Sequence, residues 1–156
     1  SLLLSHNADV NQANTKDGWF PLLSASSNNY SEICELLLSH KVDVNQAHAK
    51  TGVTPLHKAS LSGHHNIVRL LLDHGASVHS RNKKQFTPLI NASQEGHLDI
   101  VKTLLQHGAR WNDRQIDGAA AIHHAAQNNR HEVVRYLVAT AGCPVDLVSC
   151  HNISLM

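Results

Sequence analysis

The sequence is poor in aromatic and in charged residues. Phe, Trp and Tyr together make up 4% of the 156 residues, so we expect a largely aliphatic core. Charged residues make up 16%, below the ~25% of an average soluble domain. The 13 Lys and Arg nearly balance the 12 Asp and Glu, which leaves a formal net charge of +1. This balance argues against a general nucleic-acid binder, which usually carries a large basic excess.

Cysteines and long apolar runs are equally scarce. The three cysteines, Cys34, Cys143 and Cys150, form an odd set without a CxxC pair. This argues against a disulfide framework and favours a reducing intracellular compartment, the cytoplasm first and the nucleus as the alternative. No apolar run approaches the ~18 residues that cross a bilayer. No basic segment followed by an apolar one indicates a signal peptide, so we expect no membrane segment.

The sequence repeats itself every 33 or 34 residues. The segment LLLSHNADVNQANTKDG at 2–18 recurs as LLLSHKVDVNQAHAKTG at 36–52, and shorter copies begin at residues 70 and 103. A second landmark keeps the same step, as FPLL, TPLH, TPLI and AAIH at 20–23, 54–57, 87–90 and 120–123. A fixed period of this length predicts a repeat architecture, in which each unit buries its apolar face against its neighbours.

Each unit is expected to form two short helices joined by a tight turn, followed by an extended loop. Thr54 can cap the first helix of the best-defined unit, and Pro55 fits its first position, where a missing N–H costs nothing. Gly63 ends that helix, because glycine tolerates left-handed backbone. The matching positions hold the two residue types that tolerate it best: Asn29, Gly96 and Asn129.

These residues resemble the ankyrin repeat over essentially the whole chain. The best match is Thr54-Pro55-Leu56-His57-Lys58-Ala59, followed by Gly63-His64. The resemblance implies an all-α solenoid of stacked helix-turn-helix units with projecting β-hairpin loops. We expect a single domain with a partial repeat at 1–16, full repeats at about 17–49, 50–82, 83–115 and 116–150, and the start of another at 151–156.

The sequence departs from the repeat pattern at several positions. Phe20 replaces the capping Thr of the second unit, and Ala120-Ala121 replaces Thr-Pro in the last full unit. Because losing a cap costs about 1 kcal/mol, we expect that last unit to be softer. Lys41 replaces a helix-ending Gly, so we expect a different helix end there. Neither terminus has the polar outer face of a terminal repeat. This favours an excerpt from a longer array, with degenerate end caps as the alternative.

The sequence does not favour metal binding or catalysis. Eight of the 14 histidines occupy positions that recur with the repeat. Four of them end second helices about 8–10 Å apart, too far to share one metal: His6, His40, His74 and His107. The sequence lacks HExxH, GxSxG, a P-loop and GxGxxG. We therefore expect no enzyme activity, no metal and no cofactor, with Cys34 as a packed core residue.

The family resemblance implies that partners bind the concave face, formed by the loop tips and the exposed side of the first helices. The repeat register assigns these positions: Lys16, Asp17, Trp19, Asn28, Lys50, Thr51, Val53, Leu61, Ser62, Lys83, Lys84, Phe86, Gln94, Glu95, Asp117, Gln127 and Asn128. Trp19, Val53 and Phe86 form a row of apolar tips, which either anchor a partner or pack against the neighbouring tip. Lys16, Lys50 and Lys83 form a basic row, which either attracts acidic groups or is simply solvated. We predict a non-catalytic module for a protein or peptide partner of apolar and acidic character.

Other functions remain open at this stage. The chain could bind an anionic small molecule or a nucleic acid along the lysine row, or act as a mechanical spacer. Asn11 and Asn45 follow Asp-Val and are similar to the ankyrin-repeat asparagines that asparaginyl hydroxylases modify. The alternative for these two residues is a hydrogen bond within the loop. The sequence gives no oligomeric state.

Overall fold

A computed structural model describes residues 11–139 and residue 142 of the chain. Within 11–139 the chain forms eight α-helices: α1 Pro21–Ser27, α2 Ser31–Ser39, α3 Pro55–Ser62, α4 His65–Asp73, α5 Pro88–Glu95, α6 Leu98–Gln106, α7 Ala121–Gln127 and α8 His131–Ala139. Odd-numbered helices are the first helices of their units, and even-numbered helices are the second. The expected unit start at 151–156, most of the partial unit at 1–16, and Cys143 and Cys150 lie outside the described residues.

The helices form two layers. The first helices pack on one another in the order α1, α3, α5 and α7, and the second helices pack in the order α2, α4, α6 and α8. Each first helix also packs against the second helix of its own unit. The first helices approach one another more closely than the second helices do, so they lie on the tighter side of the stack. The predicted all-helical solenoid is confirmed.

The first helices begin where the repeat pattern places them. The hydroxyls of Thr54 and Thr87 accept from the backbone N–H groups of His57 and Ile90 at 3.4 and 3.3 Å. A proline follows each cap, where it gives up no helical hydrogen bond. Phe20 precedes α1 without a side-chain cap and is instead buried in the core. Hydrophobic burial therefore replaces a hydrogen bond at this position.

The helix ends follow the repeat pattern, with one difference at Lys41. Gly63 and Asn29 adopt left-handed backbone as expected, with φ of +79° and +61°. Lys41 lies in the same region, with φ +56° against +85° at Gly75, although its side chain disfavours it. The hydrogen bonds differ, as predicted: after Gly75 the N–H of Ala76 donates back to the carbonyl of Leu71 at 2.9 Å, whereas after Lys41 the N–H of Val42 makes no such bond to Leu37.

The projecting loops are tight turns closed by backbone hydrogen bonds. The N–H of His48 donates to the carbonyl of Val53 at 2.8 Å, and the N–H of Asn82 donates to that of Phe86 at 3.1 Å. The expected β-hairpins need correction, because residues 11–139 contain no strand and only an isolated bridge between Arg114 and Ala120. The loop at 82–86 is also one residue shorter than the loop at 48–53. Counted from the start of the loop, Lys84 rather than Lys83 therefore matches Lys50.

The core is aliphatic and runs through the middle of the stack. Its largest fully buried side chains are mostly Leu and Ile: Phe20, Leu22, Leu23, Leu56, Ile67, Leu71, Leu89, Ile90, Ile100, Leu104, Ile122 and Leu137. Cys34 is fully buried, as predicted, and burial raises the pKa of its thiol. Ile33 lies one repeat before Ile67 yet is 47% exposed, whereas Ile67 is fully buried.

Candidate partner-binding surface

The loops form one connected edge along the stack. The ring of His48 lies with Nε2 2.7 Å from the carbonyl oxygen of Asp17, so Nε2 donates into the preceding loop. The N–H of Lys83 donates to the carbonyl of Thr51 at 2.9 Å. Arg81 donates to the carbonyl of Arg114 at 2.8 Å. Each loop is therefore held by its neighbour, and the tips have fixed relative positions.

The apolar tips are neither fully exposed nor fully buried. Trp19, Val53 and Phe86 are half-buried and pack against the core. The ring of Phe86 lies 5.0 Å, centroid to centroid, from that of His124. The ammonium of Lys58 lies 5.1 Å from the centroid of the Trp19 ring. These three side chains therefore form walls along the first-helix layer, and each remains partly accessible to solvent.

Two adjacent clefts lie between these walls. The first cleft, of about 140 Å³, lies between Trp19 and Val53 and is lined by Trp19, Leu23, His48, Thr51, Val53 and Lys58. The second cleft, of about 270 Å³, lies between Val53 and Phe86 and is lined by Val53, His57, Lys58, Leu61, Asn82, Lys84, Phe86, Asn91 and Gln94. Val53 and Lys58 belong to both clefts. An extended chain could therefore occupy both at once.

The charged residues that line these clefts are lysines, Lys58 in both and Lys84 in the second. Residues 44–94 hold four Lys and two Arg but a single acid, Asp73, which ends a second helix. Neither cleft is lined by Asp or Glu. Within the described residues, the ion pairs belong to Arg81, Lys102, Arg130 and Arg135. The predicted lysines are exposed and take no part in these pairs: Lys16, Lys50, Lys83 and Lys84.

Residues predicted at the ends of the first helices divide into two groups. Leu61 and Gln94 line the second cleft, and Ser62 is exposed next to Leu61. Glu95 accepts from Gln94 at 2.9 Å and pairs with Arg130 at 3.6 Å. The carboxylate of Glu95 is therefore already neutralised within the chain.

Most of the remaining predicted residues form hydrogen bonds from their side chains to nearby groups of the same unit. Asp17 accepts from the N–H of Trp19 at 3.1 Å, and Asp117 from that of Ala119 at 2.9 Å. The side chains of Asn28 and Asn128 each donate at 2.8 Å to a carbonyl of their own first helix. Thr51 bonds to the ring of His48 at 3.0 Å, and Gln127 is exposed. Except for Thr51, which lines the first cleft, neither cleft is lined by these residues.

Lys58 is the cleft residue that sequence reasoning missed. It stands between His57 and Ala59, at the variable position of the repeat motif. The register places Ser24, Asn91 and His124 at the same position in the other units. Comparing that position across units would have found it, because its side chain points away from the core in a unit where the neighbouring residues are buried.

Two buried histidines lie under the tip row. His57 accepts from the N–H of Thr54 at 3.2 Å, and its Nε2 donates to the carbonyl of Phe86 at 2.9 Å. Nε2 of His124 is buried without a hydrogen-bond partner. Burial lowers the pKa of both rings, and for His124 the charge of Asp117 opposes this effect. Both rings are therefore neutral near neutral pH.

Several other histidines bond locally or bridge neighbouring units. His40, His74 and His107 reach carbonyls of their own helices, with Nδ1 to oxygen distances of 2.8, 2.9 and 2.8 Å. His64 and His97 reach carbonyls of the preceding unit, each at 3.1 Å. No group of three or more His, Cys, Asp or Glu in the described part of the chain is arranged to hold a metal ion.

The two candidate hydroxylation sites connect neighbouring loops. The side chain of Asn45 donates to the carbonyl of Gly75 at 3.2 Å and accepts from the N–H of Ser77 at 2.8 Å. The side chain of Asn11 accepts from the N–H of Asp43 at 3.1 Å. These bonds are the structural alternative that the sequence left open. Hydroxylation of either residue stays a prediction.

Comparison with known protein families identifies the architecture. The family model described as ankyrin repeats, three copies, matches at residues 1–82, 46–115 and 77–149. The chain belongs to the ankyrin repeat family. Ankyrin repeats are generally protein–protein interaction modules and are typically non-catalytic. A comparison with curated proteins finds no significant match. No helix in residues 11–139 of this ankyrin-repeat chain is long and apolar enough to span a membrane.

Proposed function

We propose that this ankyrin-repeat chain binds a protein partner along its tip row and first helices. The observation that carries the proposal is the pair of adjacent clefts, walled by Trp19, Val53 and Phe86 and lined by Lys58 and Lys84, which form no ion pair with the described residues. Half-buried aromatic walls supply apolar contact area with little loss of side-chain freedom on binding. The excess of lysines favours an acidic partner and speeds its association.

An extended segment of the partner fits this surface better than a compact ligand. The two clefts lie side by side and share Val53 and Lys58. Each is smaller than the roughly 300–1,000 Å³ of a typical small-molecule pocket. Hydrogen bonds between the loops hold the tips in place before binding, which reduces the entropy lost on association. The partner segment is therefore expected to carry apolar side chains for the clefts and acidic residues for the lysines.

Capture experiments with two matched variants test which face binds. Leu61→Arg places a bulky cation in the second cleft, and Leu70→Arg makes the same change on α4 of the same unit. Both leucines are half-buried, and the matching positions of other units hold polar residues such as Gln94 and Thr103. We therefore expect both variants to fold, which circular dichroism and melting temperature will check.

The expected result is a protein captured by the wild-type chain and by Leu70→Arg but lost with Leu61→Arg. Nuclease treatment of the lysate should leave this capture unchanged. Capture that depends on Leu70 rather than Leu61 would contradict the proposed face. If nothing binds specifically to the wild type, the chain acts as a spacer. If capture disappears with nuclease, the lysine row binds nucleic acid.

A further inference from the structure

Lys58 forms the ridge between the two clefts. Its side chain is half-buried and lines both of them. Its ammonium lies 5.1 Å from the centroid of the Trp19 ring. An aromatic face attracts a cation without accepting an ordinary hydrogen bond, so the ring fixes the ammonium but leaves its N–H donors available.

The described part of the chain supplies no anion for this ammonium. Lys58 takes part in none of the ion pairs among residues 11–139, and no Asp or Glu lines either cleft. Lys102 provides the contrast, because its ammonium lies 5.8 Å from the centroid of the Tyr136 ring and also 3.7 Å from the carboxylate of Asp99. Lys102 has both a ring and an anion, whereas Lys58 has only the ring.

A second free ammonium borders the same space. Lys84 lines the second cleft together with Lys58 and is exposed without an ion pair in the described residues. The apolar walls of that cleft are Val53 and Phe86, and the amides of Asn82, Asn91 and Gln94 also line it. The half-buried Lys58 is a strong donor to an anion, because the surrounding walls reduce screening by water, and the exposed Lys84 adds a second positive charge. The first cleft is lined by Lys58 but not by Lys84.

We propose that the second cleft binds an anionic side chain of the protein partner, with Lys58 and Lys84 as its donors. The anionic group is a carboxylate or a phosphorylated hydroxyl, and an apolar residue beside it contacts Val53 and Phe86. Lys58 determines the specificity for this charge, and Trp19 positions it. This inference rests on the proposed function, because it names the chemistry recognised within the same surface.

A randomised peptide library displayed on phage, selected against the purified chain, tests the proposal. Selected peptides should share an acidic residue next to an apolar one. Each selected peptide is then synthesised with Glu, phosphoserine or Gln at the acidic position, and binding is measured by calorimetry. A charge-assisted hydrogen bond predicts about tenfold or greater weakening for the Gln peptide. The Glu and phosphoserine peptides distinguish the two sources of the anion.

Variants of Lys58 test whether its side chain causes the preference for the Glu peptide over the Gln peptide. Lys58→Met should reduce the difference between the Glu and Gln peptides, with Lys84 as the remaining donor, and Lys58→Arg should keep it, because arginine retains the charge. Lys102→Met is the matched control, because Lys102 also lies over an aromatic ring but lines neither cleft. It should leave the difference between the Glu and Gln peptides unchanged. Folding of each variant is checked by circular dichroism.

The outcomes separate this inference from the proposed function. Selected peptides without acidic residues, or an unchanged Glu-to-Gln difference in Lys58→Met, would overturn the anion site while leaving the binding face intact. Peptides that bind Leu61→Arg as tightly as the wild type would show that the proposed face is wrong. A library that yields no enriched peptide would count against both.

Discussion

Replacing Gly63 with Ala probes the contact between neighbouring units at the helix ends. Gly63 follows α3 with φ +79°, and a Cβ built on it would lie 2.6 Å from Cε1 of His97. The ring of His97 donates from Nε2 to the carbonyl of Leu61 at 3.1 Å. Carbon atoms do not approach to 2.6 Å, so we expect the added methyl group to displace this ring and weaken or break its bond.

The expected cost combines two terms. Alanine in left-handed backbone costs about 1–2 kcal/mol, and loss of one hydrogen bond costs about 0.5–1.5 kcal/mol. Gly63→Ala should therefore lower the free energy of unfolding by about 1.5–3.5 kcal/mol. Gly75 is the matched control, because its φ is +85° and no atom lies within 4 Å of a built Cβ. Gly75→Ala should lower the free energy of unfolding only by the cost of alanine in left-handed backbone, about 1–2 kcal/mol.

Urea unfolding followed by circular dichroism measures both variants under the same conditions. The double variant Gly63→Ala/His97→Ala should lose less free energy of unfolding than the two single variants together, because the ring that collides with the methyl group is gone. Equal losses for Gly63→Ala and Gly75→Ala would refute the reasoning. Additive losses in the double variant would show that the ring and the methyl group do not interact.

Three further predictions concern pH, loop bridges and caps. Burial lowers the pKa of His57 and His124 below the ordinary 6.5, so the unfolded chain takes up protons first and stability falls as the pH drops below about 6.5. His124→Gln should make the urea midpoint less sensitive to pH, and an unchanged sensitivity would contradict this. Asn45→Ala should cost about 1–2 kcal/mol by removing two bonds to the next loop, whereas exposed Asn66→Ala on α4 should cost nothing measurable by the same titration. Ala120→Thr should add about 1 kcal/mol by restoring a cap, and no gain in melting temperature would argue that α7 is not limited by its missing cap.

Much of the fold follows from local patterns that repeat along the chain. Thr54 with Pro55, and Gly63 after them, predict where a helix begins and ends, because capping and left-handed backbone depend on a few neighbouring residues. The same local rules do not predict the left-handed backbone of Lys41, where φ is +56° although lysine disfavours it. The next residue, Val42, is buried, and burial is a property of the assembled stack.

The candidate site could be predicted only in part. The register placed Val53, Phe86 and Leu61 on one surface, and these residues do line the second cleft. It also placed Glu95 there, but the carboxylate pairs with Arg130 from the next unit. A sequence cannot show such a pairing, because the partner lies 35 positions away and the geometry depends on how the two units pack.

The sequence by itself determined the repeat, the order of helices and turns, and the shortage of acids between residues 44 and 94. These are one-dimensional properties, set by the spacing of residue types. Only the tertiary structure decided that Lys58 lies over the Trp19 ring and borders both clefts. This position depends on the distance between two adjacent units, which is fixed by the packing of α1 against α3 and by the hydrogen bonds between their loops.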